Sequence, residues 1–186
     1  MRTMRILKAA TLTLEPQLPA HAESMFEVLS DLAIYRFGNQ PPISLEDLRQ
    51  RFERLSDGRS PDGREHWLNW VIRLPDGALA GYVQATIDAN GLATVGYELA
   101  SAFWGRGLGT QAVARMIEEL QATYRIQGLR ASLNPANLRS MRLLRRLGFE
   151  LAVPGPLELA SPVPGWEHSD CLMRCALPWH GLLPQG

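Results

Sequence analysis

The chain is organised around the stretch Glu98-Leu-Ala-Ser-Ala-Phe-Trp-Gly-Arg-Gly-Leu-Gly-Thr110 and the periodic residues that follow it. Residues 92–99 are rich in apolar and β-branched side chains and come after an Asn-Gly turn, which predicts a strand. Beyond the glycines, apolar residues recur every three or four positions, which predicts a helix over about 107–123. The expected buried stripe of that helix is Val113, Met116, Ile117 and Leu120.

The turn between this strand and helix contains Gly105, Gly107 and Gly109. Glycine lets the backbone turn tightly and come close to a ligand. The first N–H groups of a helix have no acceptor within the helix, and the helix dipole favours an anion beside them. We therefore expect the turn to hold a phosphate group. A tight connection without any ligand is the alternative interpretation of the glycines alone.

Two familiar phosphate-binding loops do not fit this turn. A Walker loop requires a lysine before its serine or threonine, and the turn has none. The dinucleotide-binding fingerprint requires a glycine where Thr110 stands, and an acidic residue about twenty positions later that the sequence lacks. The spacing of the glycines therefore indicates another class of phosphate site.

Composition narrows the classes of protein to consider. The chain has 186 residues, with 19 basic and 19 acidic side chains and no net charge. We expect one domain, with a core over about 11–177 and a loose tail over 178–186. Without a basic excess we expect no nucleic-acid partner, and no stretch is apolar enough to span a membrane.

The cysteines and the N-terminal residues indicate the cellular compartment in which the protein is expected. Cys171 and Cys175 would face the same side of a strand but lie too far apart for a disulfide. The first apolar run is short, interrupted by threonines and ended by Glu15-Pro16, unlike a signal peptide. Reduced thiols without an export signal predict a cytoplasmic protein.

The other predicted elements alternate between strands and helices. A Pro75-Asp-Gly77 turn joins two strands into a hairpin, so antiparallel strands are expected before the glycine turn. The pattern predicts an α/β fold of the mixed α+β type, in which helices cover a mixed sheet. The predicted strands are 11–15, 67–74, 80–87, 128–133, 149–153 and 170–177, and the further helices are 19–31, 44–55 and 137–147.

Four short motifs along the chain resemble the GNAT superfamily of acetyl-CoA-dependent N-acetyltransferases. They are most similar to its ribosomal-protein N-terminal acetyltransferase subgroup. The resemblance implies a mostly antiparallel sheet flanked by helices and splayed between the strands 92–99 and 128–133, with the cofactor in the opening. The motifs are Gly96-Tyr-Glu-Leu99, Phe103-Trp-Gly-Arg-Gly-Leu-Gly109, Asn137-Leu-Arg-Ser140 and Leu147-Gly-Phe149.

The resemblance also implies where acetyl-CoA binds. Main-chain N–H groups of the glycine turn would hold the pyrophosphate, and the strand edge at Leu99 would pair with the pantetheine arm as an added strand does. Trp104 stands where the superfamily often has Gln or Arg, although the subgroup commonly has Trp. No metal is implied. The implied cofactor-binding residues are Leu99, Trp104, Gly105, Arg106, Gly107, Leu108, Gly109, Thr110 and Asn137.

The catalytic candidates follow from the reaction. An attacking amine must lose a proton, so a carboxylate or a water that it orients is useful. Glu98, near where the acetyl group would lie, is one candidate base, and the resemblance implies Glu158 as the other, because the subgroup carries an acidic residue there. The alternative for Glu98 is a strand-end charge on the sheet face away from the cofactor, and the alternative for Glu158 is a solvated loop charge. Ser140 matches the serine that the subgroup uses near the CoA thiolate. The alternative is that its hydroxyl donates a hydrogen bond to a carbonyl of its own helix. Leu144 stands where the superfamily often has a tyrosine that serves as the general acid.

Two functions of different classes remain open at this point. The first is an N-acetyltransferase that moves acetyl from acetyl-CoA to a primary amine by direct attack in a ternary complex. The second is a non-catalytic acyl-CoA-binding or sensing module on the same fold. The acceptor would be a peptide or amino-acid α-amine, such as a protein N-terminus, or a small-molecule amine. Whether the chain forms a homodimer is also left open.

Overall fold

The computed structural model describes residues 4–154 and 170–182, and one eight-stranded sheet runs through this part of the chain. The strand order is β1-β2-β3-β4-β5-β6-β8-β7. Most of the predicted strands appear within a few residues of their expected bounds. The strands are β1 (Leu7–Lys8), β2 (Thr13–Pro16), β3 (His66–Arg73), β4 (Leu79–Ile87), β5 (Leu92–Leu99), β6 (Gly128–Leu133), β7 (Glu150–Ala152) and β8 (Cys171–Cys175).

The sheet opens between β5 and β6, which are its parallel pair. Their pairing covers only three positions and ends at Thr94 opposite Arg130, where the Arg130 Nε–H donates to Thr94 Oγ1 at 2.7 Å. Beyond that point β5 continues to Leu99 and β6 to Leu133 without pairing to each other. The predicted mixed, mostly antiparallel sheet, splayed at this place, is confirmed.

Helices cover both faces of the sheet. Ser44 begins the second of them by accepting the Asp47 N–H at 3.1 Å, as its sequence predicts. Asn137 begins the fourth in the same way, by accepting the Ser140 N–H at 3.1 Å. The helices are α1 (Ala22–Leu29), α2 (Leu45–Ser56), α3 (Leu108–Glu119) and α4 (Leu138–Arg146), with short helical turns at Pro19–His21, Leu32–Phe37, Ser101–Phe103 and Leu120–Tyr124.

The core lies in two layers, one on each face of the sheet. The predicted stripe of α3, which includes Val113 and Ile117, is fully buried in the larger layer together with Leu144 of α4. The smaller layer packs α1 and α2 on the other face, where Phe52 meets the β4 residue Tyr82. Successive residues of β5 therefore face different helices, since side chains alternate along a strand.

The residues after β8 differ from the expected loose tail. The Trp179 main-chain N–H donates to Gln121 Oε1 at 2.7 Å, and its indole N–H donates to the Leu147 carbonyl at 2.9 Å. The prediction was wrong at this residue, because a single aromatic anchor leaves no periodic signal. Cys171 and Cys175 are free thiols, the second of them buried. Among the residues that the structure describes, no helix is long and apolar enough to cross a membrane.

Candidate active site

The glycine turn adopts the geometry that an anion site requires. Gly105 and Gly107 have φ angles of 73° and 74°, in the left-handed region that glycine enters without strain. Gly107 directly precedes α3, and the Gln111 N–H donates to its carbonyl at 3.1 Å. This is the first hydrogen bond of α3. The N–H groups of residues 108–110 come before it in the chain and point toward the turn.

Gly109 sets how closely α3 approaches its neighbours. A Cβ atom at this position would lie 3.0 Å from Leu143 Cδ1 and 3.5 Å from Leu99 Cδ1. Such a contact with Leu143 is tighter than side chains normally tolerate, so the absence of a side chain lets α3, α4 and the end of β5 meet. The N-terminus of α3 is thereby held beside the opening of the sheet.

A cleft of about 500 Å³ runs along this turn, between the end of β5 and α4. Arg106 is outside its lining; the guanidinium lies 5.8 Å from the centre of the Phe103 ring. The predicted cofactor-binding residues that do line the cleft are Leu99, Trp104, Gly105, Gly107, Leu108, Gly109, Thr110 and Asn137.

Trp104 links the strand end to α4. Its indole N–H donates to the Leu99 carbonyl at 2.8 Å, and the Arg139 guanidinium lies 3.4 Å from the centre of its ring. A cation over the face of an indole is a favourable contact. The side chain therefore fixes the wall of the cleft, a role that Gln or Arg at this position would fill differently.

Three arginines of α4 face the cleft. Arg139, Arg142 and Arg146 line it, whereas Arg145 of the same helix does not. Their spacing of three and four residues places them on one side of a helix. This was the signal available in the sequence, and Arg139 was missed among the binding candidates because any helix rich in arginine shows such spacings.

A second cleft, of about 270 Å³, occupies the opening between β5 and β6. Its walls include Thr94 and Gly96 of β5 and Ser132 of β6. The two clefts adjoin at residues that line both of them: Ile34, Phe37, Tyr97, Glu98, Asn137 and Ser140.

Glu98 is half-buried where the clefts adjoin. It lies directly opposite Tyr82 in the β4–β5 ladder, and the Asn39 Nδ2–H donates to its Oε1 at 2.8 Å. Burial raises the pKa of Glu98 above its ordinary value, although Asn39, Tyr82 and Arg51 all favour the charged form. Glu98 lines both clefts, and its assignment as a base stays a prediction.

Ser140 and Tyr97 form a pair of hydroxyl groups at the same place. Ser140 Oγ lies 2.6 Å from the Tyr97 phenol oxygen, and the phenol O–H donates to the Ser140 carbonyl oxygen at 3.3 Å. The serine hydroxyl thus meets another element instead of a carbonyl of its own helix. Tyr97 was missed as a site residue, since a tyrosine in an apolar strand is more often core packing.

Asp31 ties the wall of both clefts to the end of β5. Its Oδ2 accepts the Ser101 N–H at 2.5 Å, and its Oδ1 accepts the Ala33 N–H at 3.0 Å. Hydrogen bonds from Ser101 hold the pKa of Asp31 below its ordinary value. The helical turn Leu32–Phe37 is thereby held over the clefts.

Glu158, the other candidate base, lies outside the described residues. Within the described ranges 4–154 and 170–182, no group of three or more His, Cys, Asp or Glu side chains is arranged to hold a metal ion.

Comparison with known proteins identifies the family. The model of the Acetyltransferase (GNAT) domain matches residues 11–150, and the chain belongs to this family of acyltransferases. The chain is 25% identical over 149 residues to the uncharacterized N-acetyltransferase p20 of Bacillus licheniformis, covering 79% of this chain and 83% of that protein.

Solved structures share the fold at lower identity. The apo form of RimL, a ribosomal L7/L12 alpha-N-protein acetyltransferase, superposes with a TM-score of 0.76 at 18% identity, covering 95% of this chain and 96% of that one. The microcin C7 self-immunity acetyltransferase MccE, in complex with acetyl-CoA and AMP, gives a TM-score of 0.72 at 22% identity, covering 90% and 93%. These likenesses show the fold.

Proposed function

We propose that the protein transfers an acetyl group from acetyl-CoA to a primary amine, by direct attack within a ternary complex. The observation that carries this proposal is the meeting of two clefts of unlike charge at Glu98. One cleft combines three arginines with a helix N-terminus, whereas the other adds Asp170 to the Glu98 that both share and has no arginine or lysine in its described lining. An anionic donor and a cationic acceptor would each enter the cleft of opposite charge.

On the donor side, the N–H groups of the glycine turn bind the pyrophosphate of acetyl-CoA. Arg142 and Arg146 supply positive charge along the same cleft. The pantetheine arm follows the edge of β5 that β6 leaves unpaired beyond Thr94. A free strand edge offers main-chain groups to an extended ligand. The acetyl-CoA complex of the neighbouring structure MccE supports this choice of donor.

On the acceptor side, the second cleft has acidic and neutral polar walls. Glu98 and Asp170 contribute carboxyl groups, and neither lysine nor arginine occurs among the described residues that line it. A protonated amine is attracted to such a cleft, and one of its protons can pass to Glu98 directly or through a water. The N-terminal substrate named for RimL supports a peptide α-amine, and a small-molecule amine remains the other acceptor class.

The remaining steps need stabilisation of an oxyanion and a proton for the leaving sulfur. As the amine nitrogen attacks the thioester carbon, a main-chain N–H on the free edge of β5 stabilises the developing oxyanion. Collapse of the tetrahedral intermediate breaks the carbon–sulfur bond and releases a thiolate, which takes up one proton. No covalent enzyme intermediate forms.

An acceptor screen tests the proposal. Purified protein is mixed with acetyl-CoA and a panel of peptides with free N-termini, amino acids, polyamines and aminoglycosides, and free thiol is followed. We expect amine-dependent thiol release, with a mass increase of one acetyl group on the acceptor. Tight CoA binding without thiol release on the whole panel would instead favour the binding or sensing module.

The arginines of α4 give a matched prediction. Replacing Arg142 with alanine should weaken CoA affinity by about 10- to 150-fold, since a hydrogen bond to a charged group is worth about 1.5 to 3 kcal/mol. Arg145→Ala removes the same charge from the same helix, at a position outside the cleft, and should leave the affinity nearly unchanged. Isothermal titration of both variants with CoA measures the difference; equal losses would contradict the assignment.

A further inference from the structure

Two hydroxyl groups lie where the donor and acceptor clefts adjoin, and the proposed function as stated uses neither of them. Tyr97 and Ser140 both line the two clefts, and their oxygens are 2.6 Å apart. The position one helical turn after Ser140 is Leu144, which is buried and has no proton to give. Leu144 therefore cannot protonate the leaving sulfur, and a hydroxyl group beside the clefts could do so instead.

We propose that the Tyr97 phenol donates the proton to the departing CoA thiolate, and that Ser140 is the positioning residue that orients the phenol. The inference rests on the proposed function. A phenol, with an ordinary pKa of about 10, is a far better acid than the hydroxyl of a serine. Tyr97 reaches this place from β5, along whose free edge the pantetheine arm would lie.

The hydrogen bonds of the pair explain how the phenol is aimed. A hydroxyl both donates and accepts, so the Ser140 Oγ–H can donate to the phenol oxygen while the phenol O–H donates to the Ser140 carbonyl oxygen. The second hydrogen bond is long, at 3.3 Å, and the phenol hydrogen would exchange it for one to sulfur. The Ser140 N–H is itself fixed by Asn137 Oδ1 at 3.1 Å, which anchors the residue at the start of α4. Burial raises the pKa of Tyr97, so the phenol keeps its proton at neutral pH.

The proton balance closes over one turnover. The amine loses a proton to Glu98 or to its water as the new carbon–nitrogen bond forms, and collapse of the tetrahedral intermediate then breaks the carbon–sulfur bond. The sulfur leaves with its electron pair and takes the phenol proton. Water then reprotonates the Tyr97 phenolate and takes up the proton from Glu98, which leaves an acetylated amine and free CoA thiol.

The pKa of the CoA thiol bound to the protein tests this inference without any acceptor. The thiolate is titrated by its ultraviolet absorbance in the complexes of wild type, Tyr97→Phe, Ser140→Ala and the double variant, each first shown to bind CoA. A donor to the thiolate lowers the thiol pKa, so we expect Tyr97→Phe to raise it by about one unit. Tyr124→Phe, at the far end of α3, is the control and should leave it unchanged.

The pattern among the variants separates the roles. If Ser140 acts through Tyr97, Ser140→Ala gives a smaller rise and the double variant equals Tyr97→Phe. An unchanged thiol pKa in Tyr97→Phe, or a larger rise in Ser140→Ala than in Tyr97→Phe, would overturn the inference. Failure of wild type to bind CoA would instead contradict the proposed function.

Turnover gives a second, independent measurement once an acceptor is found. Tyr97→Phe should lower kcat by about 10- to 100-fold, at the low end of the range for general acids because a thiolate is a good leaving group. The KM for acetyl-CoA should change little, since the phenol acts after binding. A variant with wild-type kcat, measured where chemistry limits the rate, would also overturn the role.

Discussion

Replacing Glu98 with glutamine should lower the turnover number by about 10²- to 10⁴-fold at pH 7, the usual worth of a general base. Glutamine keeps the shape of the side chain and one acceptor for the Asn39 Nδ2–H, but it cannot take a proton from the amine. The loss should appear in kcat with little change in CoA affinity. Glu158→Gln is the parallel variant, and the true base is the residue whose replacement has the larger effect.

The dependence of the rate on pH should differ between wild type and Glu98→Gln in a defined direction. Only the ionised carboxylate can accept a proton, so the wild-type rate should rise as pH increases through the pKa of Glu98, which burial raises. In Glu98→Gln this rise should disappear, and only the ionisation of the acceptor amine should remain. At pH 9 more of the acceptor amine has already lost its proton and needs no base, so the deficit of the variant is expected to shrink there. An unaltered profile would exclude Glu98 as the base.

The thermal stability of Glu98→Gln shows whether its lower rate comes from lost chemistry or from a less stable fold. Because the folded-state pKa of Glu98 is raised, the native state binds more protons than the unfolded state between the two pKa values. The contribution of Glu98 to stability is thus present at low pH and is lost as pH rises through the folded pKa. A neutral glutamine avoids this loss, so thermal unfolding at pH 7 should give a Tm at least equal to that of wild type.

Replacing Gly107 with aspartate should reduce CoA affinity by at least about 100-fold. A Cβ atom at this position would meet nothing within 4 Å, so the new side chain clashes with no neighbour, although the positive φ strains the backbone of any residue other than glycine. Thermal unfolding of the variant measures that strain separately from the loss of CoA affinity. Asparagine and aspartate both tolerate the φ of 74° seen here better than other residues do. Two like charges about 4 Å apart repel by about 4 kcal/mol at a protein surface, which is enough for this loss.

Gly107→Asn is the matched control for that variant. It has the size and backbone preference of aspartate without the charge, so it should lose far less affinity. The difference between the two variants should narrow at high salt, because ions screen charges near a surface. Calorimetric titration with CoA at low and high ionic strength measures both effects. Equal affinities of the aspartate variant and wild type would place the pyrophosphate elsewhere.

Sequence reasoning succeeded where the relevant signal was local. The strand 92–99, the glycine turn and the stripe of α3 are each defined by neighbouring residues, and the structure has them at the predicted places. The splay between β5 and β6 came from the family resemblance, since no periodicity in either strand predicts where its pairing ends.

The parts that escaped prediction depend on contacts between distant residues. Tyr97 and Ser140 are 43 positions apart, and Asn39 and Glu98 are 59 apart, so only the folded chain brings them together. Arg139 had a local signal in its helical spacing, but its contact with Trp104 joins two elements. Polar groups of an active site are positioned by the scaffold, and single-residue patterns carry little of that information.

The alternation of side chains along β5 constrains how relatives of this protein can diverge. Tyr97 and Glu98 are adjacent, yet they face different helices, and in the proposed mechanism they would act on the leaving sulfur and on the attacking amine. If that mechanism holds, substitutions at Thr94 and Gly96, on the Glu98 side of the strand, would change the accepted amine without altering the leaving-group side. One inserted or deleted residue within β5 would exchange the two faces. Length variation should therefore be confined to the connecting turns, whereas acceptor preference drifts by point mutation.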